Sequence, residues 1–316
     1  QDNNNASATE NVQTEVTTEE ATQTQEESSM ANYPEITSDG NVKDYSSVVV
    51  VDDAAYELYT YLDDVADNYA KSINQVAKNL DGKADVYDLV IPLSSGITFP
   101  DNLRDEIKSS DQREAMTKIQ DKMSDKVKSV DVYDTLMKHR DEYEYYRTDH
   151  HWTTLGAYYG YQALSKSMKL DTSKTSDMKP YAVTNAFNGT LASTSGYETG
   201  YEEPIYIYAP DNLKNATEAV VNNVNEKKKT ATLYDTSKLK GKDKYALFLG
   251  GNYPILDIKT TADSTDRLLI IKDSYANSLI PFLIPYYREI VVVDPRYYYD
   301  DIENVMKKDN ITSVLF

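Results

Sequence analysis

Short β-branched and apolar runs alternate along this chain with stretches of helical periodicity, and this alternation restricts the fold more than any other feature. Ser47–Val51 reads as a strand buried on both faces. Leu58, Leu62, Val65, Tyr69, Ile73, Val76 and Leu80 then recur at spacings of three and four, which predicts one face of a long amphipathic helix. Val86–Ile91 predicts the next strand, stopped by Pro92; a polar helix over 112–128 leads to a short strand at Ser129–Tyr133. Tyr245–Leu249, Leu268–Ile271, Ile290–Val293 and Ser313–Phe316 continue the series of strands. Strands separated by helices predict an α/β fold in three layers, a mostly parallel sheet with helices on both faces. Residues 165–244 break the rhythm. Loop-rich, with Gly189, Gly196 and Gly200, they read as an insertion or cap, and the basic run Lys227–Lys229 within them as a solvated turn.

Residues 1–40 stand apart, with nine acidic residues and no Lys or Arg. So polar a segment buries too little apolar surface to offset the entropy of ordering it, and it is expected to be a disordered acidic tether ahead of a folded domain at 41–316. The whole chain carries 52 acidic against 33 basic residues, a net charge of −19. That argues against nucleic acid as a partner, because phosphate backbones demand a basic footprint, and equally against an anionic membrane surface. The lack of cysteine excludes disulfides and thiolate chemistry. No run approaches the ~20 continuous apolar residues of a membrane helix. The chain starts at Gln1 without a targeting segment, so any such segment has been removed or lies outside it, and it stops inside an apolar strand at Phe316, which reads as a truncated C-terminus.

Two segments concentrate chemistry. In Tyr145–Ala157, Asp149, His150, His151 and Trp152 are consecutive, and Thr153 or Thr154 is a suitable N-cap for the helix that follows. An Asp two residues before a His, in a loop leading to a helix, can orient the imidazole and stabilise its charged form. In Leu268–Ser278 a buried strand ends at Lys272 and Ser274 falls in the turn before an apolar helix, at the carboxyl edge of the sheet where α/β folds bind ligands. A metal site at Asp149, His150 and His151 is the rival reading, disfavoured because consecutive residues seldom converge on one ion and only His139 remains as a further imidazole.

The run TDHHWTTLGAYY at 148–159 resembles the bacterial DHHW proteins, and is similar to the alginate O-acetyltransferase group, whose Asp-x-His-Trp loop precedes a later Ser in a permuted SGNH-hydrolase-like fold. The resemblance covers roughly residues 42–316. It implies Ser274 as nucleophile, His151 as general base and Asp149 as the orienting acid, with His150 in the variable position. Lys272 stands where many members of that group have Gly. Gly251 and Asn252, in a Gly-Gly-Asn run after a predicted strand, are oxyanion candidates; Tyr275, Asn277, Arg296, His150 and Trp152 are further candidates for substrate or oxyanion contacts.

The reaction so implied is acetyl transfer through an acetyl-serine to a hydroxyl of a cell-surface polysaccharide or exopolysaccharide, by an extracytoplasmic protein tethered to the bacterial surface. Water in place of the sugar makes the same site a carbohydrate esterase. A non-catalytic surface protein that binds polysaccharide or a partner through its tyrosines is the reading from a different class; of the 28 tyrosines, the clusters at Tyr145–Tyr146, Tyr158–Tyr159 and Tyr297–Tyr299 are possible stacking surfaces. No Gly-rich phosphate cradle is evident for acetyl-coenzyme A, so no cofactor is expected and the donor is a membrane-bound O-acyltransferase.

Overall fold

The central strands are short apolar runs because both faces of the sheet are covered, which favours continuous Val, Ile and Leu over alternation. β11 (Arg267–Ile271), β12 (Glu289–Val293) and β13 (Ser313–Leu315) are such runs, and β12 is buried at every position. They belong to an eight-stranded sheet in the order β5-β4-β13-β11-β12-β10-β8-β9, where β4 is Asp85–Asp88, β5 Val127–Ser129, β8 Ala219–Asn223, β9 Lys228–Thr230 and β10 Ile255–Thr260. The five strands from β5 to β12 are mutually parallel, and β10, β8 and β9 continue the sheet antiparallel. The protein is thus a mixed α/β fold with a large, mostly parallel sheet. This computed structural model describes residues 32–197 and 201–316.

Four of the expected strands, at β4, β11, β12 and β13, lie adjacent in the parallel part of that sheet. Three expected strands are corrected. The one expected at Ser129–Tyr133 runs Val127–Ser129, and Tyr133 starts the helix Tyr133–Lys138. Val48–Val51 is a fully buried strand, but it pairs antiparallel with Lys43–Asp44 and Ala54–Glu57 in a separate three-stranded meander. Tyr245–Leu249 is not a strand: Lys244–Leu247 is a 3-10 turn, and Leu249 has a φ of +62°. An apolar run of five residues marks burial, and burial alone does not distinguish a strand from a buried turn.

The predicted long helix spans Asp63–Asn79, but the face it buries is Ala66, Ala70, Ile73 and Ala77. Ile73 and Ala77 pack with Val86, Leu269, Val291 and Val314, so small residues bring the helix close against the sheet. Leu62 and Val65, on the expected apolar face, remain more than half exposed.

Residues 1–31 of the expected acidic tether lie outside the described residues. Residues 34–40, placed with that tether by composition, belong to the same body as the rest of the domain, which runs Pro34–Phe316. Ile36 N–H donates to Asp101 Oδ2 at 3.1 Å, and Ser38 exchanges two hydrogen bonds with the Asn102 side chain at 3.0 and 2.8 Å. The segment read as an insertion divides in two. A hairpin of β6 (Met178–Phe187) and β7 (Glu203–Pro210) stands outside the main sheet, whereas β8 and β9 extend it.

Candidate active site

The loop Glu144–Thr153 is pinched at its base. Tyr145 and Trp152 form an antiparallel bridge, Thr153 N–H donates to Glu144 O at 2.9 Å, and Tyr146 N–H donates to His151 O at 3.3 Å. Thr153 then caps the helix Thr154–Met168, its Oγ1 accepting from Gly156 N–H at 3.3 Å. The pinch leaves Arg147–His150 as a short tip, in which Thr148 and Asp149 are buried. Buried Glu203 on β7 holds that tip from below, accepting Arg147 N–H and Thr148 N–H at 2.7 Å each, Thr148 Oγ1–H at 2.5 Å and Tyr143 Oη–H at 3.0 Å.

Asp149 is buried and saturated with donors. Its Oδ1 accepts His151 N–H at 3.0 Å and lies 2.6 Å from His151 Nδ1; its Oδ2 accepts Thr190 N–H at 3.0 Å and Thr190 Oγ1–H at 3.1 Å. Burial alone would raise this carboxyl, but the hydrogen bond and charge of His151, the charge of His150 and the Thr190 amide together hold it well below the usual carboxylate range. A Cβ on Gly189 would lie 2.2 Å from Asp149 Cβ, so the backbone there comes as close as only glycine allows.

On the other side of the imidazole, His151 Nε2 lies 2.7 Å from Ser274 Oγ. With Nδ1–H donating to the carboxylate, Nε2 carries the lone pair that accepts the serine hydroxyl hydrogen. The His151 ring stacks on Tyr245 at 3.8 Å between centroids, and Tyr245 Oη–H donates to Ser274 O at 2.8 Å. Tyr245 therefore fixes both members of the pair. Ser274 itself is half-buried.

The remaining candidates separate by burial. Trp152 is 0% exposed; its Nε1–H donates to Tyr275 O at 3.0 Å and to Ser278 Oγ at 3.1 Å, tying the histidine loop to the nucleophile turn. Its ring fills the space against Gly160, so it contacts no substrate, contrary to its place among the candidates. Tyr275 is likewise buried, its hydroxyl donating to His150 O. His150 is partly exposed, with Nδ1 2.7 Å from Thr190 Oγ1; burial and the neighbouring His151 charge hold it below its usual range. Asn252 is exposed beside the turn, while Asn277 is buried and donates through Nδ2 to Asn252 Oδ1 at 3.0 Å. Gly251 has a φ of +121°, in the region that favours glycine. Arg296 is spent on Asp294, with Nε at 2.9 Å and Nη2 at 2.6 Å. Of the tyrosine clusters, Tyr145, Tyr146 and Tyr159 are core residues, whereas Tyr297 and Tyr299 are exposed.

Sequence reasoning missed Thr190, Glu203 and Tyr245. Glu203 carries a signal, since an acidic residue between Glu202 and the apolar strand Ile205–Tyr208 is oddly placed for a solvated face; the other two carry none. Asp149, His150 and His151 each offer a ligand atom within 4.8 Å of the others, a grouping a cation could use. Both oxygens of Asp149 and both nitrogens of His151 are already engaged in hydrogen bonds, so a cation there would have to displace them.

A hydroxyl, an imidazole and a carboxylate linked in this order, at the carboxyl edge of a parallel sheet, define an α/β protein with a Ser–His–Asp constellation. The chain belongs to the DHHW protein family, whose model matches residues 11–293. A DHHW family protein from Eubacterium siraeum DSM 15702 is 27% identical, with a TM-score of 0.76 over 89% of this chain and 92% of that one. PatB1 of Bacillus cereus, solved with a sulfonyl adduct, is 19% identical, with a TM-score of 0.70 over 88% of this chain and 94% of that one. The O-acetyltransferase domain of Pseudomonas putida AlgJ aligns over 86% of this chain and 90% of that one, at 12% identity and a TM-score of 0.45. No curated protein matches. Among the described residues, no helix is long and apolar enough to cross a membrane.

Proposed function

We propose that this protein is an extracytoplasmic O-acetyltransferase of cell-surface or exopolysaccharide, working through Ser274, His151 and Asp149. The observation that carries the reading is the unbroken hydrogen-bonded chain from Asp149 Oδ1 through His151 to Ser274 Oγ, at 2.6 and 2.7 Å. His151 Nε2 takes the proton from Ser274 Oγ as that oxygen bonds to the acetyl carbon of the donor. The tetrahedral intermediate collapses, the donor C–O bond breaks, and His151 returns the proton to the departing oxygen. An acceptor hydroxyl then gives its proton to His151 and attacks the acetyl-serine; Ser274 Oγ leaves and regains the proton. Asp149 holds the Nδ1–H tautomer throughout and stabilises the transient imidazolium.

Of the tyrosine clusters, Tyr297 and Tyr299 offer exposed rings to a glycan, beside the Asp294–Arg296 turn. The donor in this reading is a membrane-bound O-acyltransferase rather than free acetyl-coenzyme A, and the acidic N-terminal segment is the tether. Half-buried Ser274 in this reading also admits water, in which case the same steps release acetate. PatB1 carries a sulfonyl adduct, and a sulfonyl reagent is expected to attach to Ser274 here.

The test is incubation with a chromogenic acetyl ester, with and without oligosaccharide acceptors, followed by mass spectrometry of the products. Acetylated oligosaccharide supports transfer, and free acetate alone supports the esterase. Absence of both leaves the non-catalytic binder. Tight calorimetric binding of acetyl-coenzyme A, or full-length protein confined to the cytosol, would overturn the proposed donor and location.

A further inference from the structure

Lys272 immediately follows β11 and stands two residues before Ser274, yet its side chain is only 2% exposed. A buried ammonium costs several kcal/mol unless it is paired and hydrogen-bonded. Its nearest partner is not a carboxylate: Nζ lies 2.7 Å from Asn252 Oδ1 and 3.4 Å from Asp294 Oδ2. Asp294, fully buried after β12, already accepts two side-chain hydrogen bonds from Arg296. The firmer contact of Lys272 is therefore with an amide, in a position where a charge-assisted hydrogen bond is strong.

That contact determines which way Asn252 faces. Its Oδ1 accepts from Lys272 Nζ and, at 3.0 Å, from Asn277 Nδ2. Lysine has donors only, so the atom facing it must be the oxygen, and the Nδ2 hydrogens turn outward. Asn252 reaches this place through three successive residues of positive φ, Leu249 at 62°, Gly250 at 77° and Gly251 at 121°. A chain held in that region keeps its shape only when its surroundings fix it. Lys272 and Asn277, the two residues that grip the amide, lie on either side of Ser274 in sequence.

We infer that Lys272 is a positioning residue, which orients Asn252 so that its Nδ2 hydrogens meet the oxyanion formed when Ser274 is acylated. The inference rests on the triad reading above. A preorganised donor stabilises a developing oxyanion because it needs no reorientation as the charge forms, and a loosely held amide loses that advantage. The charged groups facing Lys272 are Asp294, Arg296 and Asp273. Burial pushes the ammonium down to about 8, with Arg296 acting in the same direction and both aspartates opposing. Above that pH the hold on Asn252 weakens.

The experiment measures kcat and KM on a chromogenic acetyl ester for wild type, Lys272→Met, Asn252→Ala and the double variant, from about pH 6 to about pH 10, with Ser274→Ala as control. Each single change is expected to lower kcat on the order of 10- to 100-fold with KM within about twofold. The double variant should fall no more than about twofold below the worse single one, because both remove the same interaction. The decline of wild-type kcat above about pH 8 should vanish in Lys272→Met. If Lys272→Met does not fold, Lys272→Gln, which keeps a neutral donor, should give an intermediate kcat. Additive losses, a raised KM with intact kcat, or wild-type kcat level through pH 8 overturn the inference. If Ser274→Ala retains turnover, the triad reading has failed; if it is inactive while Lys272→Met keeps full kcat, only the role of Lys272 has.

Discussion

His151 Nε2 and Ser274 Oγ are 123 residues apart in sequence and 2.7 Å apart in space. Two separate devices bring them together. Trp152 bridges from the histidine loop to the carbonyl of Tyr275, and Tyr245 stacks on the imidazole while holding the carbonyl of Ser274. The pair is thus set by a rigid, buried frame rather than by the loop alone.

The two adjacent histidines are expected to behave differently. On the proposed triad, His151→Ala should lower ester turnover on the order of 10³-fold or more, because it removes the assigned base. His150→Gln should keep a measurable part of the rate, since His150 contacts Thr190 and not Ser274. Steady-state kinetics on both variants checks this. Equal and total loss in both, restored by added zinc, would instead favour a metal at Asp149, His150 and His151.

Glu203 should be indispensable to the shape of the loop. Glu203→Ala leaves the Arg147 and Thr148 amides and the Thr148 hydroxyl without their acceptor, and the Tyr143 hydroxyl with only Pro204 O at 3.3 Å. A loss of about 3 kcal/mol or more is expected from donors orphaned in a buried site. Chemical denaturation measures it, and a loss under 1 kcal/mol, as for an ordinary surface change, would show that the loop holds itself.

Gly189→Ala tests how closely the hairpin segment supports the acid. The added Cβ would fall 2.2 Å from Asp149 Cβ and 2.6 Å from Oδ2, so the loop or the carboxylate must shift. Misplacement of about 1 Å can cost on the order of 10²-fold in rate. The expected result is a large fall in kcat at modest cost in melting temperature. Unchanged kcat would mean that Asp149 does not need this support.

Glu144 is fully buried, and among the described residues neither of its carboxyl oxygens has a hydrogen-bond partner. Burial pushes it up to about 9, with Glu142 and Asp141 adding to the rise and Arg140 opposing it. Its folded value exceeds the unfolded one, so the folded state binds more protons and stability falls as pH rises from about 4.5 to about 9. Glu144→Gln should raise the melting temperature at neutral pH by roughly 2–8 °C and flatten its decline toward alkaline pH. A lower melting temperature at pH 8 would contradict this.

Much of the site was legible because it is written in short strings. Asp149 and His151 are two residues apart, and Ser274 comes three residues after the apolar run of β11 ends. The parallel strands were legible for the same reason, as burial on both faces leaves a continuous apolar signature. What supports the site was not. Thr190 and Glu203 come from the hairpin segment that broke the α/β rhythm, and their role exists only through contacts with Asp149 and Thr148. The helix face was misread because alanines bury it, and alanine adds little to an apolar pattern. Val48–Val51 was identified as a strand but not its partners, since pairing depends on neighbours that the run itself does not encode.

The central claim, that Ser274 carries the acetyl group between donor and acceptor, is tested most directly by peptide mass spectrometry of protein quenched during turnover of an acetyl ester. A single acetyl group is expected on Ser274, absent from Ser274→Ala, whose turnover falls on the order of 10³-fold or more while its melting curve stays unchanged. Acetyl found on another residue, or turnover undiminished in Ser274→Ala, would contradict it.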